Sequence, residues 1–205
     1  MPIIYEMAPE QIAFIIASSV PVGGEEQELF RVAHQLPADG YSSADTEKAL
    51  AFSELRFEFG HRDLPYETYA KLQKLVEDAP WINEVGAMGP EDYARFKVSI
   101  KPDPREKPVK DYLRQVTCPV LALFRRRDTI VNVAESINVY TTALQLAGNR
   151  DVTIKVFPDG DHCLFVSKTG GMKEMGQWWE KAQKLFATGY LEIMVDWLEQ
   201  RFCTP

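Results

Sequence analysis

Three short segments of this chain are rich in apolar residues, and the first is a continuous run with several β-branched residues. These apolar runs are Ile12–Ser19, Pro119–Phe124 and Val152–Phe157. Continuous apolar runs of this length are typical of strands that are covered on both faces, as in a parallel sheet. We therefore expect three strands, of which the first two are buried.

Between the first two runs, apolar residues recur instead at intervals of three and four, which is the period of a helix. Over residues 22–115 two groups show this spacing, namely Phe52, Leu55 and Phe59, and then Leu72, Leu75 and Val76. Pro65 precedes the second group and is suited to the start of a helix. This long middle segment is predicted to be helical.

Helical periods return between the second and third runs and again near the C-terminus. Residues Val133–Ala147 form one predicted helix, which Gly148 ends. Residues Tyr190–Phe202 form the other, and its apolar stripe consists of Tyr190, Ile193, Met194, Trp197 and Leu198. Strand, helix, strand and helix in succession indicate parallel pairing with right-handed crossovers. The sequence predicts an α/β fold in which residues 1–21 and 116–205 form the core.

Composition and charge narrow the class of protein. The 205 residues carry a net charge of −7, with a pI near 5.1, whereas nucleic-acid partners require a basic surface. The three cysteines are odd in number and widely spaced, which favours a reducing compartment. No basic leader segment or run of about 20 apolar residues occurs. We expect a cytoplasmic protein with neither nucleic-acid nor membrane partners.

Two titratable residues follow successive predicted strands. Asp128 comes after the strand that ends at Phe124, and His162 comes after the strand that ends at Phe157. Alone, either residue is more often a turn or loop residue. Together, at neighbouring strand ends, they suit a general base: an Asp that accepts the Nδ1–H of a His leaves Nε2 free to take a proton. We therefore predict a hydrogen bond between Asp128 and His162.

The segments around these residues resemble the α/β-hydrolase superfamily, in particular its esterase and acyl-peptidase-like serine hydrolases. Cys118–Phe124 with Asp128-Thr129-Ile130-Val131 is similar to the acid-bearing strand and loop. Asp151–Pro158 with Asp161-His162 is similar to the histidine-bearing strand and loop, and Gly189–Leu198 to the final helix. The resemblance implies a partial α/β-hydrolase fold with a mostly parallel sheet. It also implies that residues 22–115 are a helical cap insertion and that Asp128 and His162 are catalytic.

The serine nucleophile of that family sits in a G-x-S-x-G motif, which this sequence lacks. Ser18 and Ser19 have no flanking glycines and are better interpreted as polar residues at a strand end. The resemblance places the nucleophile a few residues before Met1, so the chain is expected to be a C-terminal part that is inactive in isolation. Two loop positions also differ: the family usually has glycine where Arg125 and Asp159 stand here.

Other candidate sites have less support in the sequence. Asp159, Asp161 and His162 match no complete set of metal ligands, and no glycine-rich phosphate or dinucleotide motif is present, so we expect neither metal nor cofactor. Cys163 is interpreted as an ordinary loop residue. Trp178 and Trp179 are assigned to packing, although an acyl pocket or a partner surface is the alternative.

Two functions remain open from the sequence. In the first, the chain supplies the triad Asp128 and His162 of a serine hydrolase that acts on a small-molecule ester or amide. In the second, the chain is non-catalytic and acts through a partner or as a homodimer, because an exposed strand edge around Ile12–Ala17 would pair with another chain.

Overall fold

The computed structural model describes residues 2–20, 23–101, 107–180 and 186–203, excepting the side chains of residues 2, 3 and 178–180. It is a mixed α/β protein with a three-stranded parallel sheet. It divides into two compact units, one formed by residues 1–22 and 107–205 and the other by residues 23–106.

The sheet unit begins with helix α1 (Pro2–Met7), a short 3₁₀ turn (Pro9–Gln11) and strand β1 (Ile15–Ser18). After the helical unit it continues with α7 (Val109–Leu113), β2 (Val120–Arg125), α8 (Val133–Leu146) and β3 (Val152–Phe157). Helices α9 (Met172–Glu180) and α10 (Tyr190–Leu198) follow, and a turn of π-helix (Glu199–Cys203) comes last.

The strands pair in parallel in the order β1-β2-β3, so the predicted parallel pairing is confirmed. In register, Ile15 lies opposite Val120, and Val120 lies opposite Val152. The central strand β2 is buried along its whole length. Strands β1 and β3 each have one hydrogen-bonded neighbour among the described residues.

Alternate residues of β2 enter two different cores, as the two-residue period of a strand requires. Val120, Ala122 and Phe124 pack with Tyr140 and Leu144 of α8. On the opposite face, Leu121 and Leu123 pack with the apolar stripe of α10, which includes Tyr190 and Trp197. Burying each leucine contributes roughly 1.5–3 kcal/mol, so the helices hold β2 from both sides.

The helical unit consists of α2 (Glu25–Ala38), α3 (Ser43–His61), α4 (Tyr66–Lys74), α5 (Ile82–Val85) and α6 (Pro90–Ser99). The prediction that this segment is mostly helical is confirmed. Its core is aromatic and includes Phe52, Tyr69, Trp81 and Tyr93. Ser42 caps α3, since its hydroxyl accepts a hydrogen bond from the Asp45 N–H at 3.1 Å.

The prediction of the apolar face of α3 is partly wrong. Phe52 is buried, but Leu55 is 39% exposed. The buried side of α3 instead carries Ala49, Phe52, Ser53, Arg56, Phe57 and Gly60. These positions follow the i, i+4 rows through residues 49 and 52, and Leu55 projects well to one side of them. Leu75 is also exposed, because α4 ends just before it.

Residues 107–115, which the sequence pattern groups with the helical segment, lie in the sheet unit. Leu113 of α7 is buried in the same core cluster as Val120, and this packing explains why the boundary falls earlier than residue 116. The designation of the helical unit as a cap stays a prediction. None of the described helices is long and apolar enough to cross a membrane.

Candidate active site

The acid loop after β2 holds the Asp128 carboxylate rigidly. The Asp128 side chain is fully buried, and its Oδ1 accepts hydrogen bonds from the backbone N–H groups of Ile130 (3.0 Å) and Val131 (2.8 Å). The sequence favours this turn because a short carboxylate can satisfy N–H groups two and three residues further on. Backbone hydrogen bonds therefore position the Asp128 carboxylate independently of its contacts with other side chains.

His162 lies against this carboxylate. Its Nδ1 is 3.0 Å from Asp128 Oδ2 and 3.2 Å from Oδ1, which confirms the predicted hydrogen bond. The His162 side chain is 32% exposed, and among the described residues it hydrogen-bonds only through Nδ1. If the carboxylate accepts the Nδ1–H, the Nε2 lone pair is available as a base.

The two loops are joined to each other beyond the ends of β2 and β3. The Arg126 N–H donates to the Phe157 carbonyl at 2.8 Å, and the Arg127 N–H donates to the Gly160 carbonyl at 3.1 Å. Thr129 Oγ1 donates to the Gly170 carbonyl at 2.7 Å. These bonds extend the β2–β3 pairing into the loops and set the separation of Asp128 and His162.

Asp161 stabilises the loop that follows β3 and carries His162. Its side chain is fully buried, and its Oδ1 accepts the backbone N–H groups of Cys163 (2.9 Å) and Phe165 (3.0 Å). Burial raises the pKa of Asp161 against the lowering effect of those bonds. Its Oδ2 has no hydrogen-bond partner among the described residues. The next residue, His162, is thereby presented from a tightly bonded turn.

Glu174 stabilises the far side of the same loop. Its carboxylate accepts hydrogen bonds from the N–H groups of Lys168 (2.8 Å) and Thr169 (2.7 Å) and from the hydroxyls of Ser167 and Thr169. Burial acts to raise the pKa of Glu174, but these bonds outweigh it and lower the pKa to about 2. No local pattern in the sequence indicates this role.

Arg125 is the last residue of β2. It is 1% exposed, and its guanidinium donates to the hydroxyl oxygens of both Ser18 and Ser19. Burial lowers the pKa of Arg125, and the nearby Tyr190, Asp128 and Asp161 act in the opposite direction. The buried cation therefore joins the carboxyl ends of β1 and β2.

The hydroxyls of Ser18 and Ser19 are engaged with groups other than His162. Ser18 Oγ lies 3.1 Å from Tyr190 Oη and also accepts a hydrogen bond from the Arg125 guanidinium. Ser19 has a left-handed backbone conformation, with φ at 43°. No hydrogen bond within the described part of the chain joins either serine to His162, and the expectation that neither is a nucleophile stays a prediction.

The remaining candidates do not assemble into a second site. Within the described ranges, no group of three or more His, Cys, Asp or Glu side chains could hold a metal ion. The pKa of Cys163 is raised, mainly by burial and then by Asp161, so its thiol is not activated as a nucleophile. The side chains of Trp178 and Trp179 lie outside the described residues.

Comparisons of this chain with protein-family models, with curated proteins and with solved structures give no match. A proposal for the function therefore rests on the geometry of Asp128 and His162.

Proposed function

We propose that this chain supplies the acid and the base of a serine hydrolase that acts on an ester or amide bond. In this proposal the fold is a partial α/β-hydrolase fold, and residues 23–106 form its cap. The observation that carries the proposal is the 3.0 Å contact between Asp128 Oδ2 and His162 Nδ1, at the ends of two adjacent parallel strands.

Each residue has a defined part in the reaction. Asp128 orients the imidazole and stabilises the imidazolium, and His162 Nε2 takes the proton of a serine hydroxyl and later returns it to the leaving group. The serine comes from a segment outside these 205 residues, because the sequence contains no G-x-S-x-G. The 32% exposure of the His162 side chain leaves room for that approach.

A cytoplasmic setting is part of the same proposal, since Cys118, Cys163 and Cys203 are free thiols in the structure. Neither the chemistry nor the composition of the chain calls for a cofactor. The substrate is a small molecule with an ester or amide bond.

The test compares the 205-residue chain with a longer chain that includes upstream coding sequence ending in a G-x-S-x-G. We expect the 205-residue chain to hydrolyse p-nitrophenyl acetate no faster than its His162→Ala variant does. The longer chain should show turnover that His162→Ala or Asp128→Ala lowers by roughly 10³-fold or more. The matched controls His34→Ala and Asp196→Ala, which replace exposed side chains, should retain activity.

Two results would contradict the proposal. One is a longer chain whose elbow serine reacts with a fluorophosphonate probe but whose turnover does not depend on His162. The other is turnover by the 205-residue chain with labelling of Ser18 or Ser19, which would put the nucleophile within the chain.

The second candidate function is non-catalytic self-association, and the edge position of β1 favours it. Backbone N–H groups of Ile15 and Ser19 bond to the β2 side, so the N–H of Ile16 points away from β2. If a second copy pairs there, Ile16→Pro should convert a dimer to a monomer in sedimentation velocity, and Ile16→Val should not. A wild-type chain that is monomeric at high concentration would exclude this candidate.

A further inference from the structure

The helical unit contains a cavity of about 550 Å³ that belongs to that unit alone. This volume is in the range of small-molecule sites. Its apolar walls come from α3, α5, α6 and the loops beside them, and they consist of Phe57, Val85, Met88, Phe96 and Ile100. Such a lining suits the apolar or aromatic part of a ligand. A charged residue in the same wall is therefore unexpected.

Arg56 nevertheless lies in the wall of this cavity. It is only 3% exposed, and its guanidinium carbon is 5.5 Å from the Phe57 ring centroid and 5.3 Å from that of Phe96. It donates to the Val85 carbonyl through Nη1 and to Glu28 Oε1 through Nη2. Its Nε–H has no partner among the described residues, which leaves a buried donor unsatisfied.

The carboxylate beside Arg56 does not neutralise it fully. Glu28 also receives two hydrogen bonds from Arg31, at 2.7 and 2.8 Å, so a single carboxylate serves two guanidinium groups. Burial acts to raise the pKa of Glu28, but Arg31 and then Arg56 outweigh it and lower the pKa. Glu28 is thus an ionised partner that is already engaged, and Arg56 retains unused donors.

The other charged residues in the wall are a second pair. Glu25 Oε2 lies 2.9 Å from His61 Nε2, and both side chains are well exposed. The Glu25 carboxylate repels an anion in the cavity, although solvent screens it more than it screens the buried Arg56. Replacement of the Glu25 carboxylate, at the exposed rim of the cavity, therefore tests whether the ligand is negatively charged.

From these contacts we propose that the cavity binds a small carboxylate with an apolar or aromatic body. The carboxylate accepts the Arg56 Nε–H and a second guanidinium N–H side by side, as guanidinium and carboxylate commonly pair. The body of the ligand lies against Phe57, Phe96 and Ile100. A cationic ligand is disfavoured, because it would lie beside Arg56 while Glu28, the nearby carboxylate, is shared by two arginines.

This site lies in a different unit from Asp128 and His162, and the inference does not rest on the proposed function. The test uses the full chain and 2-naphthoate as the probe, with 2-naphthamide as an uncharged analogue of the same shape. We expect 2-naphthoate to bind and to shift the Arg56 Nε–H resonance downfield in a ¹H–¹⁵N spectrum. Its binding by calorimetry should be at least about tenfold tighter than that of 2-naphthamide.

Three variants locate the site. Arg56→Met should weaken 2-naphthoate binding by at least about tenfold, with circular dichroism checking that the chain still folds. Glu25→Gln, at the exposed rim, should strengthen binding by about two- to fivefold, because a repelling charge is removed. Ser99→Trp adds bulk at the cavity wall and should reduce binding without touching Arg56.

The inference is overturned if 2-naphthoate does not bind to the folded chain, or if 2-naphthamide binds equally well. It is also overturned if Glu25→Gln leaves 2-naphthoate affinity unchanged or lowers it. That variant changes only an exposed carboxylate, so the result is decisive even where Arg56→Met unfolds the protein.

Discussion

Asp128 Oδ2 lies 3.0 Å from His162 Nδ1, across the loops that follow two adjacent parallel strands. Because a carboxylate can only accept, neutral His162 should carry its proton on Nδ1. In water, imidazole side chains favour the other tautomer, with the proton on Nε2. The pair therefore has a spectroscopic signature that is independent of any activity.

We expect long-range ¹H–¹⁵N correlation spectra to show His162 mainly as the Nδ1–H tautomer, and Asp128→Ala to shift it toward Nε2–H. His61 is the internal control, since its Nε2 faces Glu25 and its tautomer should stay Nε2–H in both proteins. A wild-type His162 that is predominantly Nε2–H would contradict the pairing.

The two neighbouring arginines at the end of β2 should differ sharply in their effect on stability. Arg125 is buried and holds Ser18 and Ser19, whereas Arg126 is exposed. Arg125→Met leaves those hydroxyls and the nearby Asp161 without their cation, so it should lower the free energy of unfolding by roughly 3 kcal/mol. Arg126→Met should change it by less than about 0.5 kcal/mol. Urea unfolding measures both, and similar values would show that Arg125 contributes no more than a surface residue.

Two glycines near the histidine loop should respond in opposite directions to alanine. Gly170 has φ at +75°, and an added Cβ would lie 1.9 Å from the Arg127 carbonyl oxygen. Gly170→Ala should therefore lower the free energy of unfolding by roughly 3 kcal/mol or more. Gly176 lies in α9 with open space around it, and Gly176→Ala should raise stability by about 0.5–1 kcal/mol. Thermal unfolding of the two variants tests both signs, and a Gly170→Ala chain as stable as the wild type would refute the close approach of the loops.

Glu174 should make the histidine loop sensitive to acid. Its pKa in the folded chain is about 2, below its usual 4.5, so its stabilising effect is complete above about pH 4.5 and is lost as the pH falls toward 2. Glu174→Ala should lower the free energy of unfolding by roughly 2 kcal/mol at pH 7, and the difference from wild type should shrink on acidification. The exposed Glu192→Ala is the control. A difference that stays constant from pH 7 to pH 2.5 would mean that the carboxylate charge is not what stabilises the loop.

The sequence by itself determined the elements whose residues carry a strong local pattern. The three apolar runs contain β1, β2 and β3, and the stripe on Tyr190–Leu198 does pack on the sheet. The pairing of Asp128 with His162 was also predictable, because parallel strands bring their carboxyl ends to one edge. Periodicity alone failed for Leu55, since it reports which residues share a helix face but not which face the neighbouring helices cover.

Only the tertiary structure decided the roles of the buried charged residues. Arg56 and Arg125 look like surface residues in the sequence, and Glu174 looks like part of a solvated helix. The place of Arg56 one helical turn after Phe52 is the one signal that could have drawn attention to it. Burial of a charge depends on partners distant in the chain, such as Glu28 for Arg56 and Ser18 for Arg125. The energy of such contacts arises only when the packed chain removes water from both groups, so no local pattern encodes it.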